Sequence, residues 1–354
     1  MSYRIGIIGA GFITQTVLIT AINDTDGLSL AAVLDSDRRA IEAVSRLSTN
    51  AVCTDSEEEF FSVQLDVVHV ATPNNLHEHY ACRALSLGMA TLVEKPLADT
   101  VAAGRRIVTA HQQSVAPAMI GYMSKHNSTH RRMEALIAEG AIGPLRAMTA
   151  RCLGWREGNW RNKRREAGLG SLGDLGIYPV LTAVQLFGAE PTSCQAVVWP
   201  SGDPEQTDIF ADGTVWFSGE RYLHLQSSFT FHEPTPVMVS EYTIVGSDGF
   251  MHVSGSWAMD GGGYIELWNR NGHTVIKPAP VNPYTEQYLL LAACSRGAPV
   301  PPAVSLERGL SDLAILCALD DSSANGGARI EFGSDPVGLG SGSRRQSQIP
   351  GQVA

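Results

Sequence analysis

Residues 3–14 read YRIGIIGAGFIT, and this stretch decides the fold. A short apolar run is followed by a glycine turn and then by a segment that can continue as a helix, which is the context of a dinucleotide-binding fingerprint. Gly9 permits the tight turn, and Gly11 lets backbone N–H groups approach a pyrophosphate at the helix N-terminus. Thr14 stands where the fingerprint has its third glycine. A glycine turn in another kind of α/β protein therefore stays an alternative.

A second apolar run, residues 30–34, ends at Asp35. An acid about 20 residues beyond the glycines binds ribose hydroxyls in dinucleotide-binding sheets, and its charge repels the 2′-phosphate of NADP. The sequence therefore favours NAD over NADP, although Arg38 and Arg39 lie close by. Asp35 could instead be a turn or helix-capping residue.

Strand-like and helix-like segments alternate over about the first 120 residues. The predicted strands include residues 51–54, 66–71, 90–93 and 116–121, and the predicted helices include 75–87 and 100–112. This order predicts a doubly wound parallel sheet, in which ligands bind at the carboxyl ends of the strands. Gly9, Asp35, Thr72 and Lys95 all lie at such ends.

Beyond residue 122 the pattern changes to strands divided by glycine-rich turns. We predict a Rossmann domain over residues 1–122 and a substrate-binding and oligomerisation domain over 123–333. The second domain is predicted to be α+β, with a largely antiparallel open sheet. Residues 334–354 lack periodicity and are predicted to form a flexible tail.

Composition sets further bounds. A chain of 354 residues with 44% hydrophobic residues fits a two-domain enzyme. Its net charge of −10 argues against a nucleic-acid partner. The 6 cysteines form no C-x-x-C pair, so we expect neither a metal site nor a disulfide framework. Neither a signal peptide nor a membrane-spanning segment is recognisable, so we expect a cytoplasmic protein without a membrane partner.

Glu94-Lys95-Pro96 follows the predicted strand 90–93. A lysine that a strand delivers into a cofactor crevice can hold a proton, orient a hydroxyl or bind an anion, although it can also be a solvated charge. With these motifs the chain resembles the glucose-fructose oxidoreductase / inositol dehydrogenase / rhizopine-catabolism (Gfo/Idh/MocA) family of nicotinamide oxidoreductases, over about residues 3–333. The matching segments are Gly9-x-Gly11, Asp35, Ala71-Thr72-Pro73 with His77, Glu94-Lys95-Pro96, Ile142-Gly143, and Gly168-x-Gly170 leading to Asp174-Leu175-Gly176-Ile177-Tyr178.

The resemblance implies a homodimer or homotetramer formed through the C-terminal sheet. The residues that it assigns to cofactor binding are Gly9, Gly11, Phe12, Ile13, Asp35, Thr72, Pro73, Asn75, His77, Glu94 and Lys95.

The family's second motif has an aspartate and, four residues later, a histidine; here these are Asp174 and Tyr178. On one helix this spacing puts both side chains on the same face. Tyrosine in place of histidine resembles the branch that contains glucose-fructose oxidoreductase and dimeric dihydrodiol dehydrogenase. It departs from the inositol dehydrogenase pattern, which puts inositol in doubt as a substrate.

These residue types suggest a catalytic group. Tyr178 can give or take a proton, but a phenol has an ordinary pKa of about 10. The ammonium of Lys95 would favour the phenolate and lower that pKa, which makes the pair a general acid/base. Asp174 could hold a neighbouring substrate hydroxyl. The alternatives are a helix-capping aspartate and a core tyrosine.

Residues 151–165 form a basic loop with two tryptophans in an otherwise acidic chain. Tryptophan stacks on sugar rings and arginine binds phosphate or carboxylate, so the loop could bind an anionic substrate. The alternative is a solvated charge run with packed tryptophans. The substrate-binding candidates are Lys125, Trp155, Trp160, Arg161 and Arg164.

The sequence therefore predicts an NAD-dependent oxidoreductase that acts on a secondary hydroxyl or keto group of a sugar, amino sugar or cyclitol. One alternative is a 3-ketoreductase of nucleotide-linked sugars. Another is a glycosidase that uses NAD transiently and shows no net cofactor turnover. A non-catalytic NAD-binding sensor is less favoured, because Lys95, Asp174 and Tyr178 are all present.

Overall fold

The first sheet of the protein has six parallel strands in the order β3-β2-β1-β4-β5-β6. The computed structural model describes residues 2–154, 160–229 and 238–333. The strands are β1 (Tyr3–Ile8), β2 (Leu28–Leu34), β3 (Val52–Thr54), β4 (Val67–Val70), β5 (Ala90–Glu94) and β6 (Ala118–Gly121). The intervening helices are α1 (Ile19–Asn23), α2 (Arg38–Leu47), α3 (Glu57–Ser62), α4 (His77–Ser86) and α5 (Val101–Gln112). A π-helical turn, Thr14–Leu18, precedes α1.

Strand order reverses between β1 and β4, since β2 and β3 lie on one side of β1 and β4 to β6 on the other. A sheet of this kind opens a crevice at the carboxyl ends of its strands, next to the reversal. Gly9, Asp35 and Lys95 each directly follow a strand, and Thr72 follows β4 by two residues. The predicted doubly wound parallel sheet is confirmed.

The second sheet has nine strands in the order β14-β13-β12-β11-β7-β10-β9-β8-β15. All neighbouring strands are antiparallel except β7 and β10, which confirms the largely antiparallel sheet. Its strands are β7 (Leu145–Leu153), β8 (Pro191–Trp199), β9 (Phe210–Phe217), β10 (Arg221–Ser228), β11 (Val239–Gly246), β12 (Gly249–Ser254), β13 (Tyr264–Asn269), β14 (Gly272–Ile276) and β15 (Ile330–Glu331). Its helices are α6 (Ser128–Ala138), α7 (Arg164–Ala167), α8 (Ser171–Asp174), α9 (Ile177–Phe187), α10 (Pro283–Cys294) and α11 (Leu306–Ala324).

Sequence patterns did not indicate strands β12 and β14, nor β15, which has only two residues. β12 follows β11 after a turn of two residues, so the two strands appear in the sequence as one irregular stretch. β14 pairs with β13 at the edge of the sheet and buries none of its residues, so its sequence carries no apolar alternation.

Helices α10 and α11 return to the first sheet. The hydroxyl of Tyr3 in β1 donates to the carbonyl of Ala292 in α10 at 3.0 Å. The hydroxyl of Tyr122, directly after β6, donates to Asp312 of α11 at 2.8 Å, and both residues are buried. The predicted boundary at residue 122 stays a prediction, and the predicted tail lies outside the described residues.

No single helix in the described part of the chain is long and apolar enough to cross a membrane. One pair, Arg164–Asp174 and Ile177–Phe187, reaches that length and composition together but is bent by 53°. Most of α9 is buried inside the protein.

Candidate active site

The glycine turn after β1 is closed on one side and open on the other. Gly9 has a φ of +108°, and a Cβ atom there would lie 2.4 Å from the carbonyl oxygen of Ala71. The hydroxyl of Thr14 donates to the carbonyl of Gly9 at 2.6 Å, so the residue that replaces the third glycine closes the turn. A Cβ atom on Gly11 would meet none of the described atoms within 4 Å. The backbone at Gly11 is therefore open to a pyrophosphate.

Asp35 lies beside this turn. One oxygen of its carboxylate accepts from the backbone N–H of Ala10 at 2.6 Å, and the other accepts from that of Asp37 at 2.8 Å. Each carboxylate oxygen has a second lone pair, so both can still accept from ribose hydroxyls. Phe12, which is 70% exposed, and the half-buried Ile13 follow Gly11 at the rim of the same turn.

The segment after β4 adds a second part of the crevice. The hydroxyl of Thr72 is buried and has no hydrogen-bond partner within the described residues, as expected for a group that meets a ligand. Pro73 and the exposed Asn75 follow it. The ring of His77 lies 3.1 Å from the carbonyl oxygens of both Thr72 and Pro96, between the segments that follow β4 and β5, and a neutral ring donates to one of the two. Burial lowers the pKa of His77 against the effect of these carbonyls, which favours a neutral ring.

The structure brings Lys95, Asp174 and Tyr178 together. Nζ of Lys95 lies 2.5 Å from Oδ1 of Asp174 and donates to the backbone carbonyl of Asp174 at 2.9 Å. The same ammonium lies 5.1 Å from the centre of the Tyr178 ring. The Lys95 side chain is 12% exposed, so it is not a solvated surface charge. A cation, a carboxylate and a phenol therefore meet at the carboxyl end of β5.

Asp174 and Tyr178 do not share one helix, and the same-face argument was wrong on this point. α8 ends at Asp174 and α9 begins at Ile177, with a bend between them. Gly176 lies at the break, where a Cβ atom would lie 2.5 Å from the carbonyl oxygen of Leu172. Glycine has a low helix propensity, which permits this interruption. Both side chains nevertheless lie next to the Lys95 ammonium.

A buried carboxylate that the sequence did not indicate fixes the turn before Asp174. Asp208, between β8 and β9, accepts from the backbone N–H groups of Gly170 at 2.7 Å and Leu172 at 2.8 Å. It also accepts from the hydroxyl of Ser171 at 2.7 Å. Burial raises the pKa of Asp208, although these donors favour its charged form. A Cβ atom on Gly170 would lie 1.8 Å from the carbonyl oxygen of Asp208, so this close approach requires the glycine.

A chain of buried and half-buried polar side chains follows from the residue next to Lys95. Glu94 lies 3.3 Å from Nε2 of His69 in β4, and Nδ1 of His69 lies 2.7 Å from the hydroxyl of Tyr288 in α10. Burial opposes ionisation of Glu94, but His69 and Lys95 more than offset it, so the pKa of Glu94 is lowered. The ionised carboxylate accepts from the backbone N–H of Lys95 at 3.3 Å. Glu94 therefore stabilises the backbone that carries the lysine.

Arg161 of the basic loop also reaches this group. Its Nε lies 3.4 Å from Oδ2 of Asp174, and its guanidinium lies 4.4 Å from the centre of the Trp160 ring. The Asp174 carboxylate therefore lies between two cations, Lys95 and Arg161.

The other substrate-binding candidates have different surroundings. Arg164 pairs with Asp320 of α11 at 2.9 Å. Lys125 pairs with Glu134 of α6, and burial lowers the pKa of Lys125 in spite of this partner. The structure therefore does not bring Arg164 or Lys125 to Asp174, and Trp155 lies outside the described residues.

Family models match both halves of the chain. The model of the oxidoreductase family with an NAD-binding Rossmann fold (GFO/IDH/MocA) matches residues 3–122. The model of the GFO/IDH/MocA C-terminal domain matches residues 130–252.

Individual proteins resemble the chain over almost all or much of its length. It is 27% identical over 335 residues to 1,5-anhydro-D-fructose reductase of Ensifer adhaerens, covering 93% of this chain and 99% of the relative. It is 29% identical over 263 residues to D-xylose 1-dehydrogenase [NADP(+)] of Haloarcula marismortui, covering 71% of each. Aldose-aldose oxidoreductase from Caulobacter crescentus, solved with glycerol, has the same fold, with a TM-score of 0.83 at 24% identity, covering 94% of this chain and 100% of that one. The chain belongs to the GFO/IDH/MocA family of NAD(P)-binding oxidoreductases.

Proposed function

We propose that the protein transfers a hydride between NAD and a secondary hydroxyl or keto group of a sugar, amino sugar or cyclitol. The observation that carries the proposal is the Lys95–Asp174–Tyr178 group at the carboxyl edge of the first sheet. The names of the two relatives, a reductase of an anhydrosugar and a dehydrogenase of an aldose, support the substrate class.

The chemistry divides between the cofactor and the protein. Oxidation of a secondary alcohol moves a hydride and a proton, and a bound nicotinamide would supply the hydride chemistry. Tyr178 would take the hydroxyl proton, and the nearby Lys95 cation would stabilise the phenolate. Asp174 would accept a hydrogen bond from a neighbouring substrate hydroxyl and so orient the reacting carbon.

The cofactor would lie along the edge of the first sheet. Gly9, Gly11, Phe12 and Ile13 would hold the pyrophosphate at the glycine turn. Asp35 would accept from the ribose hydroxyls. The group that would line the nicotinamide side is Thr72, Pro73, Asn75, His77, Glu94 and Lys95.

The first experiment is nicotinamide absorbance with purified protein, NAD or NADP, and a panel of substrates. The panel holds free sugars, amino sugars, cyclitols and nucleotide-linked sugars, with their keto forms where these are stable. We expect turnover with at least one uncharged sugar or cyclitol. The panel includes anionic substrates because Arg161, which can bind an anion, lies beside Asp174. Preference for a nucleotide-linked sugar would support the 3-ketoreductase alternative. Tight NAD binding without net turnover would instead favour the redox-cycling glycosidase or the sensor.

We expect the wild-type protein to use NAD at least about tenfold better than NADP in kcat/KM, because Asp35 repels a 2′-phosphate. Asp35→Asn keeps a carbonyl that can accept from the backbone N–H of Ala10 but removes the charge. The ratio of kcat/KM with NAD to that with NADP should therefore fall by about tenfold. Asp37→Asn is the matched control, since Asp37 is exposed and caps α2. An unchanged cofactor ratio in Asp35→Asn would contradict the assignment.

We also propose a homo-oligomer formed through the uncovered face of the second sheet. Apolar side chains on that sheet remain exposed, among them Val197 and Trp199 at 62% each and Phe250 at 40%. Val197 and Trp199 lie two residues apart on β8 and so share one face, and exposed apolar groups of this kind mark interaction sites. Light scattering should give at least a dimer for the wild type and a smaller species for Val197→Glu/Trp199→Glu. A monomeric wild type would refute this proposal.

A further inference from the structure

Trp257 lies directly against Tyr178. The centres of the two rings are 4.8 Å apart and their planes differ by 3°, so the indole covers one face of the phenol. Trp257 is 4% exposed and Tyr178 is 6% exposed, which makes the contact part of the interior. Trp257 follows β12, and about 80 residues of chain separate it from Tyr178, so no motif spacing indicates this contact.

The segment that carries Trp257 is held by a side chain that bonds its backbone and by a close backbone approach at a glycine. The side-chain amide of Asn127, directly before α6, donates to the carbonyls of Gly255 at 3.2 Å and Ala258 at 3.3 Å. Gly261 has a φ of +75°, and a Cβ atom there would lie 1.8 Å from the carbonyl oxygen of Val281. A larger residue at Gly261 would therefore displace the segment. These contacts hold the backbone on both sides of the indole.

We propose that Trp257 is a positioning residue for the proton-transferring phenol of Tyr178. The inference rests on the proposed function, since it assumes that Tyr178 moves a proton. A tyrosine ring turns about two side-chain bonds, and a parallel indole removes most of that freedom. With the ring held, its hydroxyl keeps one position relative to the Lys95 ammonium and to a bound substrate.

The position of the Tyr178 hydroxyl must be accurate because a proton is transferred only over a hydrogen-bond distance. A general acid or base has to lie within hydrogen-bond distance of the proton that it moves. A displacement of about 1 Å can lower a rate by about a hundredfold. The stack therefore affects the chemical step more than substrate binding, which depends on other contacts.

The test compares Trp257→Leu with Trp257→Phe. Leucine fills part of the space without a ring plane, whereas phenylalanine keeps a stacking partner. With the best substrate of the panel, we expect Trp257→Leu to lower kcat by about tenfold or more and to change KM by less than about threefold. Trp257→Phe should stay within about threefold of the wild type. Trp257→Met serves in place of the leucine variant if the latter does not fold.

A measurement without substrate separates this inference from the proposed function. The ionisation of Tyr178 is followed by ultraviolet difference titration of each protein against the same protein with Tyr178→Phe. We expect Tyr178 to ionise at a higher pH in Trp257→Leu than in the wild type and in Trp257→Phe. Without the stacked ring, the Tyr178 phenolate is no longer held near the Lys95 cation that stabilises it. A shifted midpoint supports the inference even if no substrate in the panel turns over.

Two results would overturn the inference. One is an unchanged kcat and an unchanged Tyr178 midpoint in a folded Trp257→Leu or Trp257→Met protein. The other is a loss of kcat that is as large in Trp257→Phe as in Trp257→Leu, because a stacking ring would then give no rescue.

Discussion

Lys95→Met should lower kcat by about a thousandfold while the protein still binds NAD. Methionine keeps most of the volume of the side chain but removes the charge that lies 2.5 Å from Asp174 and 5.1 Å from the Tyr178 ring centre. The Tyr178 phenolate then loses the Lys95 cation. The Asp174 carboxylate keeps only one of its two cations, Arg161. Steady-state kinetics with the best substrate of the panel measures the change in kcat. The fluorescence of bound NADH measures cofactor binding separately.

The expected loss depends on Lys95 and Tyr178 acting as one unit. Tyr178→Phe should be about as damaging as Lys95→Met, and the double variant should lose little more, because residues of one catalytic unit are not additive. Lys277→Met is the control, since Lys277 is exposed and lies outside the site. Fully additive losses would show that the two residues act independently. A folded Lys95→Met protein with kcat within about threefold of the wild type would refute the assignment.

Asp208→Ala should lower the free energy of unfolding by about 3 to 5 kcal/mol. The substitution leaves two backbone N–H groups and one hydroxyl buried without their acceptor. Each unsatisfied buried group costs about 1 to 3 kcal/mol, and entry of water recovers part of that sum. Urea denaturation followed by circular dichroism gives the difference.

Asp203→Ala is the matched control. Asp203 lies five residues earlier and also accepts from two backbone N–H groups, those of Glu205 and Gln206, but it is only half-buried. Water can replace the lost Asp203 carboxylate as an acceptor. We therefore expect the free energy of unfolding to change by less than about 1 kcal/mol. Equal effects at the two positions would show that burial is not what makes Asp208 important.

The parts of the site that sequence could predict are those set by a local run of residues. Gly9, Asp35 and Lys95 each directly follow a largely buried strand of five to seven residues, and the apolar run within such a strand is visible in the sequence. Their meeting at one edge then follows from the topology of a parallel sheet.

The parts that sequence could not predict depend on contacts across long separations. His69 lies inside a fully buried strand and meets Tyr288, 219 residues later. Asp208 meets Gly170 at a separation of 38 residues, and neither residue type nor spacing marks it as a partner. Arg161 and Arg164 look equivalent in the sequence, yet one meets Asp174 and the other meets Asp320. Only the folded backbone distinguishes them.

The return of α10 and α11 to the first sheet affects the order in which the protein can assemble. Residues 1–122 hold the strands of the cofactor-binding edge, but Nδ1 of the buried His69 ring and the Tyr122 hydroxyl find their partners in those two helices. Until the helices dock, these polar groups lack their hydrogen-bond partners, which is unfavourable in an apolar interior. Contacts over such separations also slow folding, because long loops must close first. The edge that would bind the dinucleotide is therefore synthesised before the two helices that complete its buried hydrogen bonds.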